Sequence, residues 1–147
     1  METRQQYLDR EAIMAILQDT GGELWFRPSP RVTLFELQRL IRQKALRRTP
    51  RLGIRDTTHP TKGYAAGWRI MLRVFDPKGE QQCTMKAVVT EVTVRRLNEI
   101  ATADLAGCEP TLRTWQDVKT VLSFFEGREV PPDAPVTLVS FNYLEQP

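Results

Sequence analysis

Apolar and polar positions alternate with two different periods along this chain, and the change of period divides it into segments. In "TRQQYLDREAIMAILQDTGG" Ile13, Ile16 and Leu17 recur at helical spacing, Thr3 and Gln6 form a possible capping box, and Gly21-Gly22 ends the run. "ELWF" is a short apolar run stopped by "RPSP", which continues neither a helix nor a central strand. Thr33 and Glu36 open a second capping box before "TLFELQRLIRQKAL", where Leu34, Leu37, Leu40 and Ile41 share a face. "RRTPRLGIRD" (47–56) reads as a loop. The period then falls to two: in "WRIMLRVF" Ile70, Leu72 and Val74 point one way and Arg69, Met71 and Arg73 the other. "DPKGE" is a tight turn and "QCTMKAVVTEVTV" returns as a β-rich run, which predicts a hairpin. "RRLNEIATADLAG" is short, helical and interrupted. Thr114, with Asp117 three residues on, caps "TWQDVKTVLSFFEG", whose Trp115, Val118, Leu122 and Phe125 line one side. "VTLVSFNYL" closes the chain as a strand. The pattern is α+β: a small, mostly antiparallel sheet or barrel with helices packed against it.

At 147 residues the chain is long enough for one hydrophobic core, and no apolar run approaches the 18 or so residues that would span a bilayer. "METRQQYLDREAI" lacks the apolar centre of a signal peptide, so a cytoplasmic location is expected. The two cysteines, Cys83 and Cys108, make no disulfide framework and have no metal-ligand spacing; neither a metal nor a cofactor is expected.

Charge changes the picture more. Between residues 31 and 55 eight basic residues (Arg31, Arg39, Arg42, Lys44, Arg47, Arg48, Arg51 and Arg55) meet one acid, Glu36, for a local charge of +7. The whole chain carries only +3, so the remainder carries −4. A basic cluster attracts polyanions, nucleic acid above all, although a solvated basic helix face has the same composition. The 47–56 segment is a catalytic loop, an anion cradle or a solvated turn. Beyond it, His59 and Lys62 are candidate phosphate contacts. Tyr64 and Trp68 are either base-stacking rings or core residues. Trp25 and Phe26 are either core or a patch for a protein partner.

From about Val32 to Leu144 the chain resembles the ASCH family, small PUA-like β-barrels associated with RNA, and within it the short bacterial members that hydrolyse acetylated cytidine. The matching pieces are the basic loop ending in "IRD" (54–56), "GYAAGWRIMLRV", "VVTEVTVRRLNEIATADLAG" and the terminal "VTLVSFNYL". The resemblance implies residues 31–147 as an ASCH-like domain and residues 1–30 as an added helical segment. It also implies a hydrolytic Lys-Thr-x-Thr-Ile-Arg-Asp loop in which lysine is the base, the second threonine attacks, and a distal glutamate protonates the leaving group. Here Gly53 stands in the attacking threonine's place and Pro50 in the lysine's; another register sets Arg48-Thr49 over Lys-Thr. Glu109, in "AGCEP", matches the acid, but is equally an ordinary loop residue. An arginine remains protonated at neutral pH and cannot replace the lysine as base.

The expectation is therefore a nucleic-acid-binding module, RNA before DNA, that binds through Lys44, Arg47, Arg48, Arg51, Arg55, His59, Lys62 and Tyr64 without hydrolysis. Asp56 is expected to hold the loop or the Arg55 guanidinium. Two alternatives stand beside it. One is an amidohydrolase or ribonuclease using Glu109 with a rearranged Thr49, Thr57, Thr58, Lys44 or Lys62. The other is an inhibitor or adaptor that binds protein through the N-terminal segment.

Overall fold

The computed structural model describes residues 22–59 and 63–144. The helix expected within the first 20 residues, and Lys62, lie outside them. Five strands form one mixed sheet: β1 (Glu23–Phe26), β2 (Arg48–Leu52), β3 (Arg69–Phe75), β4 (Gln81–Arg96) and β5 (Pro135–Tyr143), in the order β1-β3-β4-β5-β2. β1 runs parallel to β3 and the other pairs are antiparallel, so the sheet curls into a half-barrel with β1 and β2 at its two ends. Two α-helices, α1 (Leu34–Arg42) and α2 (Trp115–Glu126), and two 3-10 turns (Leu97–Glu99, Thr102–Leu105) pack against it.

The local signals act as the sequence suggests. The Thr33 hydroxyl accepts from the Glu36 amide at 3.2 Å and starts α1. At α2, Thr114 and Asp117 satisfy each other's backbone amides in a complete capping box. Ile70, Leu72 and Val74 are fully buried on alternate positions of β3, because the period-two pattern puts them all on one face. β4 pairs with β3 through its first half and with β5 from Ala87 to Arg96, with an irregularity at Val89–Glu91. Such a bulge bends the strand, as the curl requires. β5 is buried on both faces from Val136 to Ser140 and on to Phe141.

One reading changes. "RTPRL" is a strand, not part of a loop: it pairs with β5 from Arg48↔Ser140 to Leu52↔Val136. Pro50 hides this in the sequence, but a proline is tolerated at the end of a sheet, where one side of the strand needs no amide donor. The strand stops at Gly53, whose φ of +92° suits a residue with no Cβ. "ELWF" is likewise part of the sheet, with Leu24 and Phe26 in the same core cluster as α1 and β3, while Trp25 is half exposed.

The core has two parts. One joins β1, α1, β3, the middle of β4 and the later part of β5; the other joins α2, the 3-10 turns and the start of β5. Between them, where the sheet's ends approach each other, lies the site.

Candidate nucleic-acid interface

A pocket of about 640 Å³ opens between β1, β2 and the C-terminal half of α2. Its floor takes buried side chains from both core clusters, among them Val32, Leu37, Leu46, Leu112 and Leu122. Trp25, Phe75 and Phe125 also line it, and the Trp25 and Phe75 rings pack at a tilt of 53° with centroids 4.9 Å apart. The polar lining includes Arg27, Arg51, Arg55, Thr49 and Glu109.

Arg51 is the central cation. Projecting from β2, it donates from Nη2 to the Trp25 carbonyl at 2.7 Å and so links the two ends of the sheet. Its guanidinium lies 4.9 Å from the centre of the Phe26 ring, a favourable cation–π distance. No carboxylate pairs with it among the described residues. Burial lowers its pKa to about 10; Tyr64 opposes this, and the positive charges of Arg55 and Arg27 add to it. It remains charged at neutral pH, but at a cost in desolvation.

Arg55 is aimed from the turn after β2. The fully buried Thr137 hydroxyl accepts from the Arg55 amide at 2.8 Å and donates to the Gly53 carbonyl at 2.7 Å. Arg55 Nε donates to the Leu52 carbonyl at 2.9 Å, and its two terminal nitrogens make no hydrogen bond or ion pair among the described residues. Arg27, exposed at the mouth, sits 5.2 Å from the Phe125 ring centre. Three guanidiniums thus share the pocket without an acidic partner among the described residues. A concavity holding excess positive charge attracts anions.

The expected acid does reach the pocket. Glu109 is half-buried and accepts from the Thr111 amide, so it secures its own turn instead of pairing with an arginine. The Thr111 hydroxyl beside it is buried with no partner among the described residues. Thr49, 5% exposed, supplies a hydroxyl, but no lysine or histidine lines the pocket among the described residues. Burial pushes the Cys108 thiol up to about 12, with Arg48 opposing and Glu109 adding, which makes it a poor nucleophile.

The other sequence candidates divide. Arg48 lines the pocket but is committed to structure: it donates to Ser140 Oγ at 2.6 Å and to the Asp104 carbonyl at 2.7 Å, and lies 3.6 Å from Glu91. Lys44 and Arg47 are exposed ahead of β2, outside the pocket. Tyr64 offers no face to a base: its ring is in the core at 6% exposure and its hydroxyl donates to the Glu23 carbonyl. His59 closes the Asp56 turn through its amide (3.0 Å) and does not line the pocket. Asp56 holds that turn by accepting from the Thr58 amide and hydroxyl, not the Arg55 guanidinium; these bonds keep its carboxyl below the usual range. Elsewhere in the basic segment, Arg39 pairs with Glu36 and Arg31 with Asp117. Arg27 carried no sequence signal beyond a single cation next to proline.

No family model matches the sequence, and no curated protein matches it. The fold does have solved counterparts. An ASCH domain from Lactobacillus crispatus JV V101 superposes with a TM-score of 0.56 at 16% identity, over 97% of this chain and 95% of that one. A protein of Enterococcus faecalis V583 described by the family model DUF984 gives 0.54 at 14% identity, over 95% and 88%. No helix among the described residues is long and apolar enough to cross a membrane. The chain has the fold of an ASCH domain.

Proposed function

We propose that this chain binds single-stranded nucleic acid, RNA before DNA, by seating a nucleotide in the arginine pocket, and does not hydrolyse it. The carrying observation is the set of three guanidiniums, Arg27, Arg51 and Arg55, with no acidic partner among the described residues. Guanidinium forks suit phosphate oxygens. The half-exposed Trp25, packed at a tilt against Phe75, offers a base a platform. Exposed Lys44 and Arg47 supply further phosphate contacts along the strand. The ASCH fold and the family's association with RNA favour RNA over DNA.

Fluorescence anisotropy with short RNA and DNA strands tests this. Neutralising about three phosphates of a single strand gives a log–log salt slope near −2. Absence of binding to either strand at low salt would overturn the proposal.

Thr49 and Glu109 in one pocket favour a second reading, hydrolysis of a modified nucleoside or of RNA. It requires a base; among the described lining residues there is no lysine or histidine, and the Glu109 carboxylate is held by the Thr111 amide. Incubation with acetylated cytidine and with RNA separates the two: turnover lost in Glu109→Gln would establish the enzyme.

A further inference from the structure

The geometry points to a terminal phosphate monoester of a nucleotide, not an internal phosphodiester, as the group that Arg27, Arg51 and Arg55 receive. The inference rests on the nucleotide-seating reading above and narrows it to one chemical class.

Charge supplies the first reason. Of the acids at the pocket, Glu109 accepts from the Thr111 amide and Glu126 approaches only Arg128, at 4.0 Å. Neither is paired with the three arginines. An internal phosphodiester brings one negative charge and two free oxygens. A monoester brings about −1.5 to −2 at pH 7 and three acceptor oxygens, a closer match to three guanidiniums.

Donor supply is the second reason. Arg55 has both terminal nitrogens, Arg51 its Nε, and Arg27 its whole guanidinium without a hydrogen-bond acceptor among the described residues. Shape is the third. A strand passing through brings a second phosphate into the pocket, but buried Leu37, Leu46 and Leu112 give that part of the lining no side-chain donor for it. A chain end or a free nucleotide can place its phosphate on Arg51 with its base against Trp25, whose indole nitrogen is fixed by a 2.9 Å bond to Glu23.

The test compares six-nucleotide RNAs of one sequence carrying a 5′-phosphate, a 3′-phosphate or hydroxyls at both ends, with a nucleoside monophosphate and inorganic phosphate as competitors. At least one phosphorylated strand is expected to bind about tenfold or more tighter than the hydroxyl-ended strand, equivalent to about 1.4 kcal/mol. The advantage should vanish in Arg55→Gln and in Arg51→Met and persist in Arg42→Gln, which alters an exposed helix residue away from the pocket; thermal melts confirm that each variant is folded. Equal affinity for all three strands would overturn the monoester while leaving strand binding intact. A nucleoside monophosphate that binds when no strand does would uphold the monoester, assign it to a free nucleotide, and overturn the strand. Failure of every probe would overturn both.

Discussion

Replacing Arg51 by methionine should stabilise the protein while removing the proposed anion site. Burial lowers the Arg51 pKa from the ordinary arginine value to about 10 in the fold. At about 1.36 kcal/mol for each tenfold change in proton affinity, keeping the guanidinium charged costs about 3 kcal/mol. The sign follows from linkage. The folded state holds this proton less tightly than the unfolded chain, so the cost is fully present below about pH 10 and is relieved only as pH rises from there towards the ordinary arginine value. Methionine retains most of the side chain's length without the charge. Against the relief stand the lost bond to the Trp25 carbonyl, about 1 kcal/mol, and the lost contact with Phe26, about 0.5–1 kcal/mol. A net gain of about 1 kcal/mol raises Tm by about 2–4 °C in a chain of this size. Differential scanning calorimetry at pH 7, with and without 10 mM phosphate, reads both effects: phosphate should raise the wild-type Tm and leave the variant's unchanged. A fall of about 5 °C or more in Arg51→Met would refute the reasoning, because Arg51 would then be chiefly a pin between the ends of the sheet.

Three further perturbations test the frame around the site. Thr137→Val removes a hydroxyl that serves both the Gly53 carbonyl and the Arg55 amide; a loss of about 1–3 kcal/mol is expected in urea melts, with weaker ligand binding through a displaced Arg55. Gly63→Ala places a Cβ 1.9 Å from the Asp56 carbonyl oxygen, which only backbone movement can relieve; about 2–3 kcal/mol should be lost, together with the 2.8 Å bond from the Tyr64 amide to Arg55. Asp117 is held at a pKa of about 2, first by Arg31 and then by the Arg113 amide, against an ordinary 3.8. Its depressed pKa means that its contribution is present above about pH 4 and lost as pH falls towards 2, so Asp117→Asn should melt lower than wild type at pH 7 and converge with it near pH 2.

Much of the fold was legible because its signals are local. Thr33, Thr114 and Asp117 cap helices by bonds spanning three residues, and Ile70, Leu72 and Val74 declare a strand face by alternation. What could not be read depends on distant partners. "RTPRL" becomes a strand because β5, nearly ninety residues later, supplies its ladder. The site had the same difficulty: the arginine-rich segment was visible, but which of its cations are free was not. Arg48 is consumed by Ser140 and Asp104, whereas Arg51 meets Trp25 and no acid. Arg27 joins them only because β1 and β2 lie at the two ends of a curled sheet. Tyr64 illustrates the reverse error, since proximity to arginines in sequence placed it in the site and burial placed it in the core.

The most direct measurement is a titration of arginine-labelled protein with short single-stranded RNA, following each arginine's Nε–Hε resonance by NMR. The pocket arginines Arg27, Arg51 and Arg55 should shift and saturate together at one affinity, with Arg39 and Arg42 on α1 unmoved. Shifts confined to exposed arginines outside the pocket, with Arg51 and Arg55 unchanged at saturation, would contradict the pocket as the nucleotide site.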